Sequence, residues 1–138
     1  MHNIPVKLVK EGFSFESCHS LVEYEGACHR LHGHSYKMTV AVEGVPKNDG
    51  LVIDFKDLKS IVNEVIIDKV DHYNLNEVMP ADFSLQGNTT CENMIVAFWY
   101  ALDHEITERF EGVKLSELKL WETENSFAVL TREMVYNA

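Results

Sequence analysis

Apolar and polar positions alternate along two segments near the start of the chain. Between residues 7 and 17, apolar and aromatic side chains recur at about every second position. The same period runs through 34–43, where the even-numbered positions include Tyr36, Met38, Val40 and Val42. Because neighbouring side chains of a strand point to opposite faces, this period indicates half-buried strands. A polar stretch, 21–31, separates them, so we expect two strands that can pair as a hairpin.

Two later segments carry apolar residues at the spacing of an amphipathic helix. The first follows Asp54, a suitable N-cap, runs to about residue 70 and places on one side Phe55, Leu58, Ile61, Val62, Val65 and Ile66. The second ends near Gly112 and places on one side Ile95, Phe98, Trp99, Leu102, Ile106 and Phe110. Thr89, with Glu92 three residues later, predicts a capping box at its start. We interpret 71–86, between the helices, as a loop.

The chain ends with two further segments that read as strands, 115–124 and 127–136. The predicted order is therefore ββααββ. Helices grouped between pairs of strands indicate an α+β fold, in which an antiparallel sheet carries the helices on one face. There is no internal repeat and no linker-like stretch, so residues 1–138 are expected to form one domain.

Charge and composition narrow the functional classes. The formal net charge is -10, from 22 acidic and 12 basic residues, which argues against a nucleic-acid or membrane-surface binder but not against a small anionic substrate. The three cysteines form no Cys-x-x-Cys pair, so a disulfide framework is not expected. With no signal-peptide pattern at the start and no apolar run of about 20 residues, we expect a cytoplasmic protein.

A cluster of histidines predicts a metal site. His32 and His34 are two apart at the start of the second strand, so their side chains point to the same side. If the two strands pair as a hairpin, His19 comes alongside them. Three imidazoles would leave the fourth position of a zinc ion open, which is typical of catalytic zinc. Cys28, on the intervening loop, is either a fourth ligand or an acid/base group near the ion.

The alternative for this cluster is a set of exposed surface residues, since a His-x-His pair alone is weak evidence. The concentration favours metal binding: five candidate ligands fall within 16 residues, namely His19, Cys28, His29, His32 and His34. Within this set, His29 is interpreted as a surface residue. His104, far along the chain, is interpreted in the same way.

Two carboxylates stand where a structural role alone is costly or ambiguous. Glu122 shares the parity of Leu118 and Leu120, so it should face the apolar side, where a carboxylate needs a partner. Such a group could bind the amidine-like edge of a heterocycle through two parallel hydrogen bonds; the alternative is a strand-end residue that turns outward. Asp71 can orient His72 and raise its basicity, although a polar helix end explains the same pair.

The motifs, taken in order, resemble a known family. They are Phe15 to His19, Cys28-x-x-x-His32-Gly33-His34-Ser35-Tyr36, Ile53-Asp54-Phe55-x-x-Leu58, Asp71-His72-x-x-Leu75-Asn76, Thr90-Cys91-Glu92-Asn93 and Trp121-Glu122-Thr123. This series resembles the 6-pyruvoyl-tetrahydropterin synthase / 6-carboxy-tetrahydropterin synthase family over nearly the whole chain. The resemblance implies the tunnelling fold, a four-stranded antiparallel sheet with two helices, assembled as a trimer or hexamer with active sites between subunits.

The resemblance also implies roles for individual residues. His19, His32 and His34 would bind Zn²⁺. Proton transfer would fall to Cys28 together with Asp71 and His72, the latter two supplied by a neighbouring subunit. The pterin would be bound by Glu122, with Thr90 and Glu92 near its pocket, and Glu92 would then serve both the cap and the site.

The spacing of Cys28 and His32 bears on the branch of the family. Three residues lie between them, which resembles the 6-carboxy-tetrahydropterin synthases of queuosine (7-deazaguanine) synthesis; the 6-pyruvoyl synthases usually have a longer gap. The implied reaction converts the pterin triphosphate 7,8-dihydroneopterin triphosphate to the 6-carboxy product, with release of acetaldehyde and triphosphate. The alternatives are 6-pyruvoyl synthesis, a non-catalytic pterin- or purine-binding relative, and a metal-storage module.

Overall fold

A four-stranded antiparallel sheet organises the chain. The computed structural model describes residues 1–22 and 26–137. The strands lie side by side in chain order, and they are β1 (Val6–His19), β2 (His32–Gly44), β3 (Lys114–Trp121) and β4 (Phe127–Thr131). The α+β class and the antiparallel sheet predicted from the sequence are confirmed.

The hairpin of β1 and β2 is longer at its loop end than the alternation predicts. His19 was expected just past the first strand, but it is the last residue of β1 and pairs with His32, the first residue of β2. The pairing register shifts between Lys10 and Phe13, where Gly12 has a φ of 93°. This β-bulge uses a conformation that favours glycine.

The first helical region is a composite. It runs through α1 (Phe55–Val62), a π-helical turn (Asn63–Ile67) and α2 (Asp68–Val70). The Asp54 side chain accepts a hydrogen bond from the Lys56 N–H, which confirms the predicted N-cap. The wider π turn lets three successive residues reach the core: Val65, Ile66 and Ile67 are all buried.

The interpretation of 71–86 as a loop was wrong, because a further helix, α3 (Leu75–Phe83), lies within it. Its apolar stripe is weak, since only Leu75 and Met79 are buried, and Pro80 stands inside it. A proline in a helix interior removes a backbone donor and argues against a helix when the sequence is read alone. The Asn74 side chain caps the helix by accepting from the Asn76 N–H at 2.9 Å.

The long helix α4 (Cys91–Arg109) starts one residue later than predicted. Its N-cap is Thr90, whose hydroxyl accepts from the Asn93 N–H at 3.2 Å. The predicted capping box between Thr89 and Glu92 was therefore wrong. Two adjacent threonines satisfy the same rule, and the buried Thr89 side chain is engaged elsewhere.

The end of the chain differs from the prediction in a similar way. The third strand ends at Trp121 rather than near residue 124. The segment expected to be strand from 127 to 136 divides into β4 and a short helix, α5 (Arg132–Tyr136), which the Thr131 side chain caps. The apolar residues Met134, Val135 and Tyr136 follow one another without alternation, so periodicity does not distinguish a strand from a helix there.

The core lies between one face of the sheet and the helices. The largest fully buried side chains include Phe15 and Tyr36 from the sheet and Phe98 and Trp99 from α4. Phe15 stacks on Tyr36 with ring centroids 4.8 Å apart, and Phe98 meets the Phe15 ring edge-on. Within the described ranges, no helix combines the length and apolar character needed to cross a membrane.

Candidate metal centre and active site

Three histidine side chains converge at the end of the sheet where β1 enters the connecting loop and β2 leaves it. His19 lies directly opposite His32 across the strand pair, and His34 lies two residues further along β2, opposite Ser17. Directly opposite and diagonal neighbours on one face of a sheet are the pairs that touch. The ring centroids are accordingly 4.7 Å apart for His19 and His32, 5.2 Å for His19 and His34, and 4.8 Å for His32 and His34.

Backbone carbonyls orient two of these rings. The Nδ1 of His19 lies 2.8 Å from the Thr89 carbonyl oxygen, and the Nδ1 of His32 lies 2.7 Å from the Arg30 carbonyl oxygen. A carbonyl only accepts hydrogen bonds, so each Nδ1 carries the proton and donates it. This tautomer leaves the lone pair on Nε2. An imidazole held through one nitrogen and free at the other is the usual arrangement of a metal-ligating histidine.

The free nitrogens fit a metal ion. The Nε2 atoms of His19, His32 and His34 are buried and have no hydrogen-bond partner among residues 1–22 and 26–137, and the ligand atoms of the cluster lie within 4.8 Å of one another. Two nitrogens bound to one zinc ion at about 2.0–2.1 Å lie at most about 4.2 Å apart, so the rings are close to a chelating arrangement. Buried polar atoms without partners are rare, and a cation would satisfy all three.

Burial favours the neutral imidazole at two of the three histidines. Burial lowers the pKa of His19, and this effect exceeds the opposing hydrogen bond to Thr89 and the nearby Glu122 carboxylate. Burial also lowers the pKa of His34, again against the influence of Glu122. A histidine must be deprotonated to bind a metal ion. Both lowered pKa values therefore favour the form of His19 and His34 that can bind a cation.

Glu122 lies beside the imidazoles. It follows the last residue of β3, and its Oε1 is 3.7 Å from the Nε2 of His19 and 3.6 Å from the Nε2 of His34. The side chain is about 33% exposed, so it is partly accessible to solvent. The inward orientation expected from strand parity is confirmed, and the outward-turned alternative is wrong.

Cys28 lies in a short 3-10 turn (Ala27–His29) on the loop before β2, and its side chain is half-buried. Within the described ranges, the cluster of mutually close ligand atoms contains the three histidines and not Cys28. The choice between a fourth ligand and an acid/base group for Cys28 stays a prediction.

Asp71 and His72 lie at the outer edge of β1. The Asp71 carboxylate accepts from the Glu16 N–H at 2.9 Å and lies 3.0 Å from the His72 Nδ1. The His72 backbone donates to the Glu16 carbonyl oxygen at 2.6 Å and adopts a φ of 65°. The His72 side chain is 78% exposed, and a cavity of about 430 Å³ is lined by both His72 and His34. Their role in proton transfer stays a prediction.

The start of α4 lies against the end of β3. The Cys91 thiol donates to the Leu120 carbonyl oxygen at 3.1 Å, so the flanking Thr90 and Glu92 are held close to the Glu122 end of the sheet. Thr90 is half-buried and Glu92 is exposed. Burial raises the pKa of Cys91 to about 11, which keeps this thiol protonated at neutral pH.

Two residues at the site were not assigned to it from the sequence. Thr89 was interpreted as a helix cap, but its carbonyl and its hydroxyl, 3.1 Å from Nδ1, both contact His19. Tyr36 was placed in the strand as a core residue. Its ring is 5.5 Å from that of His34, and its buried hydroxyl has no partner in the described part of the chain. The parity that Tyr36 shares with His34 was the available signal.

A four-stranded α+β domain with a three-histidine, metal-type site at one end of its sheet is the class of protein that these observations define. A family model described as 6-pyruvoyl tetrahydropterin synthase matches residues 7–133. The chain belongs to this family.

Individual relatives agree with this assignment. A Haemophilus influenzae protein named 6-carboxy-5,6,7,8-tetrahydropterin synthase is 36% identical over 140 residues, covering 88% of this chain and 95% of its own length. A Dictyostelium discoideum protein named 6-pyruvoyl tetrahydrobiopterin synthase is 38% identical over 112 residues, covering 78% and 76%. The structure of the Caenorhabditis elegans 6-pyruvoyl tetrahydropterin synthase superposes with a TM-score of 0.77 at 23% identity, over 95% of this chain and 99% of that one, and shows the fold.

Proposed function

We propose that this protein is a zinc-dependent 6-carboxy-5,6,7,8-tetrahydropterin synthase. Its substrate would be 7,8-dihydroneopterin triphosphate, and its products the 6-carboxy pterin, acetaldehyde and triphosphate, within queuosine (7-deazaguanine) biosynthesis in the cytoplasm. The proposal rests on three imidazole Nε2 atoms that lie beside the Glu122 carboxylate and have no hydrogen-bond partner within the described residues. The Haemophilus influenzae relative of that name, which matches over most of both chains, supports the choice of reaction.

In this proposal His19, His32 and His34 hold Zn²⁺, which would act as a Lewis acid on oxygens of the substrate side chain. Glu122 binds the pterin ring, because its carboxylate can accept two parallel N–H hydrogen bonds. Thr90 and Glu92 border the ring at the start of α4.

Proton transfer is assigned to Cys28 with Asp71 and His72. Cys28 would take and return a proton at the substrate side chain, a contribution that is typically worth about 10²–10⁴-fold in rate. Asp71 orients the His72 ring at 3.0 Å. Since these two residues lie at the exposed outer edge of β1, we propose that they serve the site of an adjoining copy of the chain.

Association of copies is the accompanying proposal. The sheet face away from the helices exposes apolar side chains of Val9, Phe127 and Val129, and Phe127 stacks on Trp121 with centroids 4.5 Å apart. Apolar side chains exposed on a sheet face can pack against another copy of the chain. A trimer or hexamer would cover this face. Light scattering of the purified protein tests the assembly: a monomeric mass would contradict it.

The decisive test of function is incubation of the purified protein with 7,8-dihydroneopterin triphosphate, followed by mass analysis of the pterin and trapping of acetaldehyde. The proposal predicts the 6-carboxy product with one acetaldehyde per turnover. The 6-pyruvoyl product without acetaldehyde would support the second candidate, which the Dictyostelium discoideum relative favours. Binding without turnover would indicate a non-catalytic relative.

Two variants test the assigned residues in the same assay. Cys28→Ala should abolish turnover while the zinc content is unchanged, because the thiol moves a proton and does not hold the ion. Full activity of this variant would refute the role of Cys28. His104→Ala, which changes an exposed residue of α4, is the control and should keep its activity.

A further inference from the structure

The chain between His19 and Cys28 is held by a side-chain amide at its first residue. The Ser20 N–H donates to the Asn76 Oδ1 at 2.8 Å, and the Asn76 Nδ2 donates to the Ser20 carbonyl oxygen at 2.9 Å. One carboxamide therefore satisfies both backbone groups of one residue. This is the pattern by which a neighbouring strand pairs with its partner.

A second amide repeats this arrangement two residues later. The Val22 N–H donates to the Asn88 Oδ1 at 2.8 Å, and the Asn88 Nδ2 donates to the Val22 carbonyl oxygen at 2.9 Å. Asn76 belongs to the first turn of α3, whereas Asn88 precedes α4, so the two amides come from different elements. The spacing of two residues matches an extended segment, in which alternate backbone groups face the same side.

The residue between them faces the other way and contacts the Cys28 turn. The Leu21 N–H donates to the Cys28 carbonyl oxygen at 2.8 Å, and the His29 Nδ1 donates to the Leu21 carbonyl oxygen at 3.3 Å. The segment 20–22 thus lies between two asparagine amides on one side and the Cys28 turn on the other. We name the four hydrogen bonds that the Asn76 and Asn88 side chains make to Ser20 and Val22 the amide clamp.

The backbones of both asparagines are held at helix starts. The Asn76 N–H donates to the Asn74 Oδ1 at 2.9 Å, and the Asn93 Nδ2 donates to the Asn88 carbonyl oxygen at 3.0 Å. The 3-10 turn that carries Cys28, in contrast, has no buried residue. A turn without buried contacts depends on its hydrogen bonds for its position.

We infer that Asn76 and Asn88 are positioning residues for Cys28, acting through segment 20–22 and without contact with the substrate. The inference rests on the proposed function, in which the Cys28 thiol moves a proton. A proton-transfer group must lie within hydrogen-bond reach of its target, and a misplacement of about 1 Å can cost roughly 10²-fold in rate. The amide clamp thus holds in position the turn that carries Cys28, which has no buried residue of its own to hold it.

The test compares Asn88→Ala with Asn88→Asp and with Asn48→Ala, an exposed asparagine in the turn after β2. Asn88→Ala removes both clamp bonds to Val22 and should lower kcat by about 10²-fold, with KM and zinc content unchanged. Asn88→Asp keeps the acceptor for the Val22 N–H but places a carboxylate oxygen against the Val22 carbonyl oxygen, so its kcat should fall as well. Asn48→Ala should match the parent protein.

A second readout follows the thiol directly. Iodoacetamide alkylation, mapped by peptide mass spectrometry above the ordinary thiol pKa of about 8.5, reports access to Cys28 rather than its ionisation. Alkylation of Cys28 should be several-fold faster in Asn88→Ala, while Cys18, the internal reference, keeps its rate. A structural effect spread over the domain would change both cysteines together.

The outcomes separate the inference from the proposed function. Unchanged kcat and unchanged Cys28 alkylation in both Asn76→Ala and Asn88→Ala would overturn the clamp. If the alanine variants fail to fold, the same comparison is made with Asn76→Asp and Asn88→Asp. A loss of zinc that parallels the loss of kcat would also overturn the amide clamp. Full activity of Cys28→Ala would instead refute the role of the thiol, whereas the alkylation result would still report on the clamp.

Discussion

Replacing Glu122 by glutamine removes a charge at the metal-type site while keeping the shape of the side chain. Glu122 lies past the end of β3 with its Oε1 within 3.7 Å of two imidazole nitrogens. The glutamine amide has one acceptor oxygen and one donor nitrogen, so it can no longer accept two hydrogen bonds from the N–H edge of a pterin. The three imidazoles are untouched, and zinc content should be retained.

The expected size of the effect follows from the environment of the carboxylate. A hydrogen bond to a charged group contributes about 1.5–3 kcal/mol. Because the side chain is 33% exposed, water competes for the carboxylate, and we expect a total loss within this range rather than twice it. Since about 1.4 kcal/mol corresponds to a factor of ten, kcat/KM should fall by roughly 10–100-fold.

The assay measures kcat/KM for the pterin triphosphate together with the zinc content of each protein. Glu124→Gln, two residues further along in the exposed turn, is the matched control and should behave like the parent. An unchanged kcat/KM in Glu122→Gln would refute the assignment of this carboxylate to the pterin ring. Loss of zinc in step with activity would assign it to the metal instead.

Three further predictions concern stability, measured on the metal-free protein. Tyr36→Phe should raise the free energy of unfolding by up to about 1 kcal/mol, because the stacked ring stays and a buried hydroxyl without a partner among the described residues is removed. A clearly lower free energy of unfolding in urea denaturation would contradict this. Thr90→Ala should cost about 1 kcal/mol through the lost N-cap, whereas Thr90→Ser should not; equal loss in both would refute the cap. Burial lowers the pKa of His19 and His34 below 6.5 in the folded state, so the unfolded chain binds more protons below about pH 6.5 and stability should fall there; a thermal midpoint that is constant or rises on acidification would contradict the sign.

The strands and the histidine cluster could be predicted because they depend on short-range periodicity. His32 and His34 share a face whatever the rest of the chain does, and pairing of the first two strands brings His19 opposite them. Glu122 was predictable for the same reason, since strand parity fixed its side. The site is thus largely determined by the alternation within three strands.

The remaining features depend on tertiary contacts that no local rule contains. Either Thr89 or Thr90 satisfies the N-cap pattern, and the choice is made by His19, which is 70 residues away from Thr89. The helix α3 has only two buried residues and contains Pro80, so its packing overrides a weak local preference. The amide clamp joins Ser20 and Val22 to residues 56 and 66 positions away, and asparagine alone does not indicate such a partner.

The proposed activity depends on three imidazoles of one chain holding a single metal ion. Elemental analysis of the purified protein, against His34→Ala and against His104→Ala as an exposed control on α4, tests it most directly. We expect one zinc ion per chain in the parent and in His104→Ala, and loss of bound zinc in His34→Ala. Equal zinc content in all three proteins, or none in the parent after refolding with excess zinc, would contradict it.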